Sequence, residues 1–267
     1  MRRWAVIAAL FALTIGAFAL RAWPIRQSLP YVDHPDEPNP IDYVVGMLRT
    51  GDPNQQFFQK PSLFIYLALA AISAVYHMGL FGASAYGDLR EFIVTTHTVT
   101  TVPAFFLAAR LIAATFGALS VLAAFGLGVR GWNWAAGLVG AAYVALLPSP
   151  LRFSEGPTTD VPAAFLVVMS LSAALLAVRS NRSTASLVSG AFAGLAASAK
   201  YNAGAVAGVI VIAALWPIGA APLSRRSGSI TADRQPQQLA ASAQAEYQNL
   251  IRLASGQLGR LALAGLA

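Results

Sequence analysis

Five stretches of this chain, residues 104–129, 132–151, 161–178, 183–199 and 201–224, hold at most one charged side chain each. Most are at or near the ~20 residues a helix needs to cross about 30 Å of hydrocarbon. Lipid offers nothing for an open backbone to hydrogen-bond, so such segments cross as helices. Composition agrees, with 57% of residues hydrophobic and 11% charged, where a soluble globular protein carries about 25% charged residues. The expected fold is all-α: a polytopic transmembrane helical protein with interfacial helices in its first outer loop. The chain has no cysteine, which excludes disulfides, thiolate catalysis and Cys-ligated metal centres. Its net charge of +7 is concentrated in Arg2, Arg3, Arg130, Arg179, Arg182, Arg225 and Arg226, all at the ends of apolar runs. That is the positive-inside pattern. No basic stripe interleaved with aromatics is present, so nucleic acid is not an expected partner.

The run Trp4–Leu20 follows Arg2 and Arg3 and lacks a small-residue cleavage site. It reads as an uncleaved first transmembrane helix with a cytoplasmic N-terminus, a signal peptide being the alternative. Residues 21–60 then face outward, and they contain five of the eleven acidic residues: Asp33, Asp36, Glu37, Asp42 and Asp52. Within this loop Asn39 can cap and Pro40 can open a short helix, with Ile41, Val44, Val45 and Leu48 on one face and Gly51 at its end. Such a helix suits the membrane interface. Basic turns at 129–131, 179–182 and 225–226 are assigned to the cytoplasm, which places 147–160 and 200–202 outside.

Parity then requires that Leu63–Phe81 be interfacial or re-entrant, or that it pair with a crossing near Phe92–Ala108. The threonines at 95, 96, 98, 100 and 101 make that second crossing polar and favour the interfacial option. Two short helices, Ala185–Ala199 and Ala203–Ile218, are expected around Lys200. Gly190 with Gly194 and Gly204 with Gly208 have the spacing of close helix packing. Residues 1–222 thus form one membrane module. Residues 223–267 read as a cytoplasmic linker followed by the start of a further apolar helix, as in a fragment or the N-terminal module of a longer protein.

Three places carry candidate chemistry. Asp33-His34-Pro35-Asp36-Glu37 sets carboxylates and a histidine just outside the membrane, where one carboxylate could take a proton from an incoming hydroxyl or amine; a solvated acidic loop is the plain alternative. Asp33, His34 and Asp36 are also weak candidates for a divalent cation. Lys60 and Lys200 are the only lysines among 18 basic residues, and a lysine at the interface suits a lipid phosphate or serves as a snorkelling anchor. Asp160 stands at the mouth of an apolar helix, facing a polar cavity or capping the helix. Arg110, alone within an apolar run, requires a carboxylate or phosphate partner.

Taken in order, Pro35-Asp36-Glu37, Tyr43, Met47-Leu48, Gly51-Asp52, Lys60-Pro61, Leu63 and Tyr66 resemble the first outer loop of the C-type (GT-C) polyprenyl-phosphate-sugar glycosyltransferases. Arg110-Leu111, Pro148 to Arg152, Thr159-Asp160, Gly194-Leu195 and Ala199-Lys200 follow in the order found in the protein mannosyltransferase and aminoarabinose transferase group. The resemblance covers roughly residues 4 to 220. It implies an outer-face cavity under interfacial helices and an inverting transfer of one sugar from a polyprenyl-phosphate donor to a glycan, lipid or protein acceptor in the inner or plasma membrane. By that likeness Asp36 is the catalytic base, Glu37 stands beside it, and Asp160 is the second acidic residue. Lys60 and Lys200 hold the lipid phosphate, with Arg110 and Tyr43 in the donor-binding group. No cofactor is implied with certainty, a divalent cation remaining open.

Two features depart from the family pattern: Ala83–Pro103 is longer, and further helices that help enclose the lipid are missing, so an inactive truncated transferase is one alternative. A transporter or non-catalytic scaffold, with Asp36, Lys60 and Asp160 binding a solute, is the other. Acids clustered in one outer loop, instead of within mid-membrane helices, favour the enzyme.

Overall fold

A computed structural model describes residues 2–29, 36–56, 58–78, 103–180, 183–212 and 215. The described part is 85% helical and contains no strand. Three helices are long and apolar enough to cross a membrane: Trp4–Arg26, Pro103–Gly131 and Asp160–Ser180. The all-α polytopic membrane architecture expected from the apolar runs is therefore what is found.

Helix α1 (Arg2–Ala22) runs into a 3-10 turn at Trp23–Arg26. Then come α2 (Pro38–Thr50), α3 (Leu63–His77), α4 (Pro103–Gly131), α5 (Trp134–Leu146), α6 (Pro148–Phe153), α7 (Asp160–Ser180) and α8 (Ser183–Ala199). The last described helix, Tyr201–Ile212, begins with a 3-10 turn over Tyr201–Ala205.

The bundle has two chemically distinct ends. At one, Arg179 near the end of α7 donates to the carbonyls of Arg130 and Gly131, the latter at 3.0 Å. A cation so placed satisfies the orphan carbonyls of α4 and complements its dipole. Asn133 caps α5 there, its side chain accepting from the Ala136 amide at 2.9 Å. Of the three basic turns assigned to one side from sequence, those at Arg130 and Arg179 lie together, and 225–226 lies outside the described residues. The other end gathers residues 21–29, 36–56, 58–62, the start of α4, 144–160 and Lys200, and it carries the candidate site.

Small and hydroxylated residues hold the helices close, as expected where lipid supplies no hydrophobic drive between them. A Cβ on Gly128 would stand 2.7 Å from the Gly137 Cα, so α4 and α5 meet backbone to backbone. Ser170 of α7 and Ser189 of α8, both buried, each donate to the other's backbone carbonyl at 2.9 Å. Of the glycines singled out from sequence, a Cβ on Gly204 would stand 3.1 Å from Ala197 of α8, whereas among the described residues nothing lies within 4 Å of a Cβ on Gly208.

Helix α3 has 15 residues, about 22 Å at 1.5 Å per residue. Its buried residues Ile65, Ala68, Ile72, Val75 and Tyr76 join one cluster with Ile41–Met47 of α2 and the first turns of α4, Ala104–Ala109. Its start, Leu63, packs against Ala163 and Ala199 at the same end. Helix α3 thus packs against α2, with its start at the site end. The rest of the polar stretch before Pro103, and residues 216–267 with the linker expected there, lie outside the described residues.

One local expectation needs correction. Helix α2 opens at Pro38, one residue before the expected cap, and Asn39 is already helical. Proline at the first helical position has its ring angle preset and lacks only an amide that would be orphaned anyway. Arg21, near the end of α1, is fully buried. Its guanidinium donates to Ser154 Oγ (3.3 Å) and to the carbonyls of Ala17 (2.9 Å), Val144 (3.0 Å) and Ala145 (3.4 Å). The last two belong to the C-terminal turn of α5, where free carbonyls and the negative end of the helix dipole offset a cation. Gly117 makes room, since a Cβ there would stand 2.6 Å from both Arg21 Nε and Ser154 Oγ.

Candidate functional site

Helix α2 positions the first part of the site. Its amphipathic face buries Ile41, Val44, Val45 and Met47 against α3 and α4, which fixes the N-terminal turn and the two acids before it. Gly51 ends the helix at φ +74, a left-handed conformation that glycine takes without cost, its amide donating to the Met47 carbonyl at 2.9 Å. The chain then turns through Asp52, whose Oδ1 accepts from the Asn54 amide (2.9 Å) and whose Oδ2 accepts from Gln56 Nε2 (3.0 Å). That turn returns Lys60 to the start of α2.

The adjacent acids Asp36 and Glu37 have opposite fates. Asp36 is exposed, and its Oδ1 accepts from Lys60 Nζ at 3.0 Å and Asn39 Nδ2 at 3.2 Å. Glu37 is buried, and its Oε1 accepts from Arg110 Nε at 2.5 Å. Arg110, also buried, donates through Nη1 to the carbonyls of Ile25 (2.7 Å) and Gln27 (3.0 Å). Arg110 therefore has the carboxylate partner its position demanded, and this pair joins α4, the end of α1 and the start of α2. The pair ties α4 to the neighbouring segments at 25–27 and 37, more than 70 positions earlier in the chain.

A second acid and lysine meet on the α7–α8 side. Asp160, the first residue of α7, accepts from Lys200 Nζ, and both side chains are partly exposed. The carboxylate also sits in the first turn of its helix, where the dipole favours a negative charge.

Tyr43 is half-buried in α2. Desolvation, and secondarily the charge of Asp42, push its phenol above the usual range. It is a neutral hydroxyl at physiological pH and can donate a hydrogen bond to an anion. Partial desolvation on α2 likewise raises the carboxyl of Asp42, whose side chain is otherwise exposed. Asp33 and His34 lie outside the described residues, and among the described residues no three potential metal-ligating side chains converge.

One feature had no sequence signal. Tyr201 Oη, next to Lys200, donates to the Phe58 carbonyl at 2.8 Å, two residues before Lys60. It bridges the two halves of the site across 143 positions, a span no local pattern reports. Between those halves lies a cleft of about 320 Å³, walled by Asn54, Gln55, Phe58, Pro61, Tyr66 and Tyr201.

The arrangement offers an exposed carboxylate held by a lysine, a second such pair, and an uncharged cleft between the segments that carry them. It can take a proton at Asp36 and bind an anion at Lys60 and Lys200. In comparisons with known proteins, the family described as dolichyl-phosphate-mannose-protein mannosyltransferase matches residues 96–230. The matched span holds Arg110, Asp160 and Lys200, and begins after Asp36, Glu37, Tyr43 and Lys60. No curated protein and no solved structure matches the chain.

Proposed function

Because the chain belongs to the dolichyl-phosphate-mannose-protein mannosyltransferase family, and is thus a GT-C-type membrane glycosyltransferase, we propose that it transfers a sugar from a polyprenyl-phosphate donor to an acceptor hydroxyl or amine at the outer membrane face. The observation that carries this reading is the pair of carboxylate–lysine contacts, Asp36 with Lys60 and Asp160 with Lys200, at one end of the bundle. The opposite end carries Arg130 and Arg179, and the positive-inside rule assigns it to the cytoplasm of an inner or plasma membrane.

In this mechanism the acceptor oxygen or nitrogen forms a bond to the anomeric carbon while the bond from that carbon to the phosphate oxygen breaks. Asp36 receives the acceptor's proton, a role its exposure permits and its contacts with Lys60 and Asn39 orient. The departing polyprenyl phosphate keeps the electron pair, and the lysines stabilise that charge as it develops. Attack opposite the leaving group inverts the anomeric centre. Asp160 holds Lys200, and Tyr43 supplies a neutral donor on the α2 side. Glu37 and Arg110 serve as positioning residues that fix the turn bearing Asp36. The acceptor is a glycan, a lipid or a protein hydroxyl.

The test is transfer from polyprenyl-phosphate mannose in proteoliposomes containing the protein. Asp36→Asn should lower the rate about 10²-fold or more, the usual contribution of general-base catalysis, with membrane insertion intact. Transfer at the wild-type rate by that variant would remove Asp36 from the reaction.

A further inference from the structure

We propose that the end of the bundle opposite the candidate site binds an anionic phospholipid, with the Arg130 guanidinium of α4 holding the lipid phosphate and Arg179 of α7 adding its charge. This site lies away from the transfer chemistry and does not depend on it.

The need for an anion follows from where the charges are. The acidic residues among those described, Asp36, Glu37, Asp42, Asp52, Glu155 and Asp160, all lie at the site end. There Lys60, Lys200 and Arg110 each meet a carboxylate. At the opposite end no described carboxylate faces Arg130 or Arg179. Arg179 donates to the carbonyls of Arg130 and Gly131, which satisfies part of its guanidinium and leaves its full charge. Among the described residues the Arg130 guanidinium has no hydrogen-bond or ion-pair partner at all.

The position of that guanidinium selects a lipid over a dissolved anion. An arginine at the end of a crossing helix ordinarily reaches outward to water. Arg130 instead folds back along α4, its Nη1 lying 2.7 Å from where a Cβ on Gly126 would stand. Gly126 is about 6 Å deeper along the helix, at 1.5 Å per residue, and the lack of a side chain there opens the seat. Arg130 is exposed, and so is its neighbour Val129, so the cation lies on the surface that meets lipid. Trp132 and Trp134 are exposed just beyond it, and such rings gather at the level of the headgroups. A guanidinium on the lipid side of that belt is costly without a counter-ion. The anion a bilayer supplies at this depth is a headgroup phosphate, whose paired oxygens match the planar donor fork. Arg179, held against the backbone of Arg130 and Gly131, places a second positive charge beside the same headgroup.

The test uses the full chain reconstituted in phosphatidylcholine and carrying Trp4→Phe, Trp23→Phe and Trp216→Phe, so that emission comes from Trp132 and Trp134 alone. Quenching by brominated dioleoyl phosphatidylglycerol, compared with brominated dioleoyl phosphatidylcholine, gives the relative affinity of the two lipids at this end. Phosphatidylglycerol should be preferred about tenfold, and Arg130→Gln should cut the preference about fivefold, the share of one arginine near anionic lipid. That variant keeps the backbone carbonyl that Arg179 uses. Gly126→Ala leaves every charge in place but puts a methyl where Nη1 sits, and should cut the preference about twofold or more by moving the donor fork. Inorganic phosphate added at constant ionic strength should leave the quenching unchanged. Equal quenching by the two lipids before any change at Arg130 overturns the inference, as does a preference that survives Arg130→Gln. Loss in Arg130→Gln with no change in Gly126→Ala reduces the effect to diffuse surface charge and overturns the site. Displacement of the lipid by inorganic phosphate would assign the site to a soluble anion instead.

Discussion

Replacing Glu37 separates a structural acid from a catalytic one. Both members of the Glu37–Arg110 pair are buried, with side-chain exposures of 3% and 5%. Removing one partner of a buried pair typically costs about 3–5 kcal/mol, because the survivor is left as an uncompensated charge. Arg110 retains the carbonyls of Ile25 and Gln27, which places Glu37→Ala near the lower figure, about 3 kcal/mol or roughly a hundredfold in the folding equilibrium. Glu37→Gln keeps an oxygen for Arg110 Nε and should cost less. The double variant Glu37→Leu/Arg110→Met removes both charges and should recover most of the loss. The assay is equilibrium unfolding in mixed micelles for the wild type and these three variants, beside transfer activity for the same four proteins. Transfer lost by 10³-fold in Glu37→Gln with stability unchanged would refute the structural assignment and make Glu37 a participant in the chemistry.

Other outcomes follow from the same contacts. Lys60→Ala and Lys200→Ala should each weaken binding of polyprenyl phosphate without preventing membrane insertion, and unchanged lipid affinity would assign the lysine to anchoring. Gly117→Ala drives a methyl into Arg21 and Ser154 and should destabilise by about 1–3 kcal/mol, as overpacking does; unfolding in micelles measures it. Ser170→Ala should cost about 0.6 kcal/mol, the average for interhelical hydrogen bonds in membranes, and the double variant with Ser189→Ala should cost less than the sum of the singles. For Asp42, whose folded pKa is raised by partial desolvation, ionisation opposes the folded state above that pKa. Asp42→Asn should therefore stabilise at neutral pH, with the gain vanishing as pH falls through the raised carboxylate range, read from paired unfolding curves across pH.

Much of the architecture was legible in the sequence because lipid imposes simple rules. Apolar runs must be helices, and their basic ends must share a side, as Arg130 and Arg179 do. The buried face of α2 was legible from periodicity, Ile41, Val44 and Val45 being where a 3.6-residue repeat puts them. For Arg110 the need for a partner was readable, but its identity was not, since Glu37 is 73 positions away. The difference between Asp36 and Glu37 was equally hidden: neighbours in sequence, they diverge because Glu37 meets α4 while Asp36 meets the turn carrying Lys60. The buried seat of Arg21 left no mark in the sequence, because a lone arginine at a helix end normally reaches toward water, whereas here the free carbonyls of α5 and the gap beside Gly117 give it an internal place.

The pairing of Lys60 with Asp36 and of Lys200 with Asp160 also determines how an anionic lipid would approach. Each cation is matched by an anion, so these four groups present almost no net charge beyond the roughly 8 Å Debye length of physiological salt. These pairs add little long-range field to draw the lipid in from a distance, and little electrostatic steering of the encounter. Arrival is governed by two-dimensional diffusion within the leaflet, and the rate of capture should respond to membrane fluidity far more than to ionic strength.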